Sequence, residues 1–180
     1  MSNSLRANYA ACTGKYSILG DPEDADCVIG QSFGTSYGKD SPNYKLANQI
    51  HHEHDGHPKI LQSEIASVYK DISQGGKVDF IPEGNPSSTT GGGLTSWDVL
   101  LQAVSFMKEM GYNNPIIIAQ AFHVGRIAMQ ATKLGMNPIV PEGLTRSFDK
   151  DSEQLWTRNR MLWIPRELAG SIILKSKGKL

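Results

Sequence analysis

The sequence predicts a three-layer α/β domain, with a mainly parallel five-stranded sheet and helices on both faces. Three observations lead there. Short apolar runs alternate along the chain with helical stripes, the pattern of strands joined by crossover helices. Each run is four to six residues long and is bounded by Gly, Pro or polar residues. Finally, 180 residues at 19.7 kDa, set against roughly 150 residues per domain, make one core rather than two. A chain of this size buries about 70% of the surface its unfolded form exposes, so it needs neither disulfides nor a structural metal.

In chain order, residues 1–24 read as an N-terminal extension and 25–180 as one domain that includes a C-terminal helical segment. The first strand is expected over 26–30, followed by a helix over 43–55. A second strand over 59–62 leads to Ile65, Val68, Tyr69 and Ile72, an i, i+3, i+4, i+7 stripe that Gly75-Gly76 stops. The third strand is 78–82. Beyond it, Trp97, Leu100, Leu101 and Val104 repeat the stripe, with Thr95 and Asp98 as a capping box and Gly111 as the stop. The fourth and most apolar strand, 115–120, feeds the stripe Val124, Ile127, Ala128, Ala131, which ends at Gly135. A fifth strand over 137–141 and a helix over 150–175, kinked or broken at Pro165, complete the order.

Composition narrows the partners. Hydrophobic residues are 39% and charged residues 20%, and 18 Lys+Arg balance 18 Asp+Glu. No global field exists to hold nucleic acid or an anionic membrane nonspecifically. Residues 1–14 have no signal-peptide core, and the apolar stretch 115–122 is too short to span a bilayer, so a soluble, cytoplasmic chain is expected. Cys12 and Cys27 fit neither a disulfide framework nor a zinc site.

Parallel strands with right-handed crossovers put every strand-to-helix loop on one edge, where ligands of open α/β sheets bind. Gly30, Gln62, Glu83 and His123 should therefore share that edge, with His54 on the other. The first loop contains Gly30-Gln31-Ser32-Phe33-Gly34, which matches the Gly-x-Ser-x-Gly nucleophile elbow. An elbow needs a helix at once, whereas 35–42 reads as loop. The alternative is a glycine turn whose backbone N–H groups approach a ligand or make a bend. Dinucleotide and Walker A fingerprints are absent.

In the second loop Gln62 and Glu64 flank Ser63, which is read either as a helix N-cap or as part of a ligand contact. The third loop, 83–93, begins at Glu83 and is rich in hydroxyls and glycines ahead of Thr95 and Asp98, a composition that suits an anion cradle or a surface loop. In the fourth, His123 at a helix start is biased toward neutrality and can act as a base, and Arg126 one turn on can grip a carboxylate or phosphate. Pairing of Arg126 with Glu64 or Glu83 is the structural alternative. His51, His54 and Asp55 could share a helix face around a metal. They fall at the edge away from the loops, and a solvated helix end is expected there instead.

These residues support a comparison with a known family. Cys27-Val28-Ile29-Gly30, Ile81-Pro82-Glu83 with its Ser/Thr loop, Leu94-Thr95-Ser96-Trp97-Asp98 and, most specifically, Ala121-Phe122-His123-Val124-Gly125-Arg126-Ile127-Ala128 resemble the YdcF/SanA/ElyC family, a bacterial domain of unknown function. The similarity covers roughly residues 25–145. Where many members carry an N-T-x-x-N run, this chain has Leu94-Thr95 and then Asp98. No anchor of the kind usual in the SanA and ElyC types is expected, and the soluble YdcF type is the closest in kind. The resemblance implies a Rossmann-like fold and S-adenosylmethionine as a candidate cofactor, and it supplies no reaction.

The expected function is binding of a small polar or anionic, nucleotide-like ligand at the carboxyl edge, by Gly30, Gln31, Ser32, Gly34, Gln62, Glu64, Glu83, Thr95, Asp98, His123 and Arg126. Two alternatives stand beside it. One is a hydrolase with Ser32 as nucleophile, His123 as base and an acid such as Asp98. The other is a non-catalytic interaction domain. No metal is assigned.

Overall fold

The structure is a computed structural model that describes residues 12–84 and 94–180. Three parallel strands stand in the order β2-β1-β3: β1 is Cys27–Gly30, β2 Lys59–Leu61 and β3 Pro115–Ile118. Ile29 lies opposite Ile60 on one side and Ile117 on the other. Every strand residue is buried, as expected of a parallel sheet covered on both faces.

The five-stranded expectation is corrected. The runs 78–82 and 137–141 lie beside β2 and β3, but each makes one parallel bridge, Ile60 with Phe80 and Ile116 with Ile139. Local chemistry stops them. The Asp79 carboxylate accepts the Lys59 N–H at 2.9 Å, a donor the ladder would otherwise use. Pro138 and Pro141 have no N–H, which leaves only Ile139 and Val140 between them to pair. Val140 turns instead to Leu19 in an antiparallel bridge, while Tyr16 Oη accepts from Leu144 N and its ring packs against the core.

Helix α1, Pro42–Glu53, is capped by Ser41. Helix α2, Ser63–Ile72, has Gln62 rather than Ser63 at its N-cap, and the Gln62 side chain makes no capping bond. Helix α3, Ser96–Met110, shows the complete Thr95/Asp98 capping box and ends at Gly111 in the left-handed conformation. Helix α4, Val124–Lys133, follows β3 directly. The chain leaves β1 toward β2 and returns past it to β3. With right-handed crossovers, this reversal assigns the packed pair α1 and α2 to one face and α3 and α4 to the other.

The last helix, α5, Arg160–Ser176, starts ten residues later than expected. Asn159 supplies its N-cap, and 150–159 is a loop with one 3-10 turn, Leu155–Thr157. Nor does Pro165 break the helix. It removes the donor for the Met161 carbonyl, and Met161 is exposed, so water can take that acceptor. Among the described residues no helix is long and apolar enough to cross a membrane.

Two apolar clusters result among the described residues. The larger surrounds the sheet. The smaller joins Phe33 from the loop after β1, Phe122 from the loop after β3 and Trp163 of α5, with Phe148 and Trp156 against them. The C-terminal segment thereby roofs the carboxyl edge.

Candidate functional site

The order reverses at β1, which puts the switch point of the sheet at the carboxyl ends of β1 and β3. Five polar side chains meet there. Gln31, directly after β1, donates from its backbone N–H to Ile118 O (3.0 Å) and from Nε2 to Ser96 O (3.3 Å). Ser96, the first residue of α3, has its Oγ 2.9 Å from His123 Nε2. His123 Nδ1 lies 3.4 Å from Glu167 Oε1, on α5. Arg126 holds the same carboxylate bidentately, Nε to Oε1 at 2.6 Å and a terminal nitrogen to Oε2 at 3.0 Å. The Trp163 indole and the His123 ring pack edge to face, with centroids 5.1 Å apart.

Burial sets the charges. His123 is 6% exposed and Glu167 1%. Desolvation, reinforced by the Arg126 guanidinium, pushes the imidazole below its ordinary value, so it is neutral near pH 7. Burial alone would raise Glu167, but His123 and Arg126 outweigh it and hold the carboxyl below its usual range. The site therefore holds a neutral imidazole between a hydroxyl and an ionised carboxylate. The Cys27 thiol on β1 is pushed up to about 12, chiefly by burial, and is no nucleophile at neutral pH.

The other sequence-predicted residues fall around this centre. Gly30 is packed: a Cβ there would sit 2.8 Å from Leu61 Cδ2. Ser32 donates its N–H to Gln62 Oε1 (3.1 Å), and no helix starts until Pro42. Gly34 has φ +83°, and the N–H groups of Thr35 and Ser36 that follow each donate at 2.9 Å to one oxygen of Asp149. The first loop is thus an anion-binding nest already filled by the chain's own carboxylate, which is 2% exposed. Asp98 accepts from Thr95 N and Oγ1, so its carboxylate serves the cap. Glu64 accepts from Ser63, and exposed Glu83 accepts at its carbonyl from Gln102, further along α3. Residues 85–93 of the third loop and 1–11 of the extension lie outside the described residues.

At the far edge, the Asp55 carboxylate accepts from Tyr69 Oη and pairs with Lys59 at 3.5 Å. His51 lies 3.7 Å from it, and buried His54 is 3.8 Å from Glu53. Among the described residues no three His, Cys, Asp or Glu side chains are grouped to hold a metal ion.

Sequence reasoning singled out His123 and Arg126 but not Ser96, Asp149, Trp163 or Glu167. Ser96 stands inside the capping-box segment, which is also one of the segments carrying the family resemblance, and neither pattern marks its hydroxyl. Comparison of the chain with protein-family models, curated proteins and solved structures finds no match.

Proposed function

We propose that the chain is a YdcF-like, Rossmann-like domain that binds a small polar or anionic ligand, of nucleotide or S-adenosylmethionine type, at the carboxyl ends of β1 and β3. The single observation that carries this reading is the meeting of Ser96 Oγ and His123 Nε2 beside the N-terminus of α3, at the switch point of the sheet. Within α3, Asp98 N is taken by Thr95 Oγ1 and Val99 N by Thr95 O, while the N–H groups of Ser96 and Trp97 have no carbonyl partner inside the helix. Those donors and the helix dipole favour negative charge. Because Asp149 fills the nest at residues 34–36, the ligand is met by Ser96, His123 and Ser32 rather than by Gly34. The Rossmann-like assignment draws on strand position. The runs at Phe80 and Ile139 flank β2 and β3, so the five runs follow the order third, second, first, fourth, fifth.

The test is thermal unfolding with ATP, AMP, S-adenosylmethionine and inorganic phosphate. A member present at a hundredfold its dissociation constant should stabilise the chain by about 2.7 kcal/mol. The gain should shrink in Ser96→Ala. If no member of the panel shifts the midpoint of the unaltered chain, the assignment of ligand class fails.

A further inference from the structure

We infer that Ser96 is a nucleophile, with His123 as its base and Glu167 as the carboxylate that orients the imidazole, and that the site takes a small carboxylic ester. This rests on the ligand site proposed above and names its chemistry. Three groups from three separate elements, α3, the N-cap of α4 and α5, form one chain of contacts: Oγ to Nε2 at 2.9 Å and Nδ1 to Oε1 at 3.4 Å. A hydroxyl, an imidazole and a buried carboxylate in that sequence form the arrangement that activates serine, and it is recognised by geometry rather than by chain order. The second distance is long, as such contacts often are without substrate.

The surroundings suit the role. His123 is buried and neutral, so Nε2 can accept the serine proton. Arg126 fixes Glu167 through two bonds and so fixes what the imidazole leans on. Its terminal nitrogen also lies 3.2 Å from Nδ1. With the Nδ1 proton directed to Glu167, Nε2 is free to act as base. In the other tautomer Nδ1 accepts from Arg126, Nε2–H donates to Ser96, and the serine is not activated. Ser96 itself is half-buried, which leaves it open to a small ester. The first-turn N–H groups of α3 lie beside the hydroxyl, where an oxyanion needs donors.

The reaction balances without a further reactant except water. Ser96 Oγ bonds to the carbonyl carbon as its proton passes to His123 Nε2. The carbonyl π pair moves to oxygen and returns as the C–O bond to the alcohol breaks, and the proton on Nε2 goes to the departing alkoxide. Water, deprotonated by Nε2, then attacks the acyl-serine. The carboxylic acid leaves, and the proton returns to Ser96 Oγ.

A fluorophosphonate probe on the full chain, with the adduct located by mass spectrometry, is the test, and p-nitrophenyl acetate turnover runs beside it. Labelling near one per chain is expected at Ser96. It should be absent in Ser96→Ala and retained in Ser32→Ala, and turnover in Ser96→Ala should fall at least about a hundredfold. Removing one hydroxyl from a half-buried site leaves the fold, which the unfolding midpoint checks. For Glu167 as a positioning residue, Glu167→Gln should move the acid limb of the pH–rate profile, with partial rescue by Glu167→Asp. No label, or a label on Ser32, overturns the inference. An unlabelled chain that the ligand panel still stabilises loses only the nucleophile. A chain labelled at Ser96 that no panel member stabilises keeps the nucleophile and loses the ligand class.

Discussion

Gly34 carries two demands at once: a left-handed backbone at φ +83° and the approach of Asp149, whose Cβ and Cγ would stand 2.6 and 2.8 Å from an added methyl carbon. Gly34→Ala should therefore destabilise by about 3 kcal/mol, combining left-handed strain with lost charge-assisted bonds. Gly38→Ala, with open space around it and no positive φ, should be nearly neutral. Urea unfolding of both variants measures the difference. A second expectation concerns pH. His123 and His54 have folded values depressed by burial, so they stay neutral in the fold while the unfolded chain takes up protons. Their contribution is complete above about pH 6.5, the ordinary imidazole value, and is lost as pH falls through the depressed values. Glu167 is depressed too, and its contribution disappears further down, below about pH 4.3. The unfolding midpoint should fall in two stages on acidification, and the first stage should be smaller in His54→Gln.

The α3 terminus shows what a local pattern can reveal. Thr95, Asp98 and Gly111 are close in sequence to the helix ends they serve, and each does what its spacing predicts. Thr95→Ala should cost about 1 kcal/mol, and Thr95→Ser should restore most of it, as read by thermal unfolding. The same local reasoning misplaces the start of α5, because 150–159 carries no periodicity strong enough to separate a loop from a helix. It also overcounts strands, because one carboxylate at Asp79 and the flanking prolines at 138 and 141 are enough to cut a ladder to a single bridge. The site divides along the same line. His123 follows from its place after the most apolar strand. Its partners, Ser96 at 27 residues and Glu167 at 44 residues of separation, are set by the packing of whole elements.

Across the whole molecule, the sheet core and the aromatic roof over the carboxyl edge are separate clusters, and α5 belongs to the second. Amides of β1, β2 and β3 should exchange with solvent only on global unfolding, and those of α5 by a smaller opening. Trp163→Ala, which empties the centre of the roof, should speed exchange in α5 several-fold and leave the ratio between the three strands unchanged. Hydrogen-exchange mass spectrometry resolves the two. The nest at Gly34 adds a temporal side to this division. Thr35 and Asp149 are 114 residues apart, so a ribosome that has delivered the chain only through β3 presents the first loop without its carboxylate and Phe33 without its aromatic cover. The nascent chain therefore carries a sticky, half-dressed edge that suits capture by a chaperone.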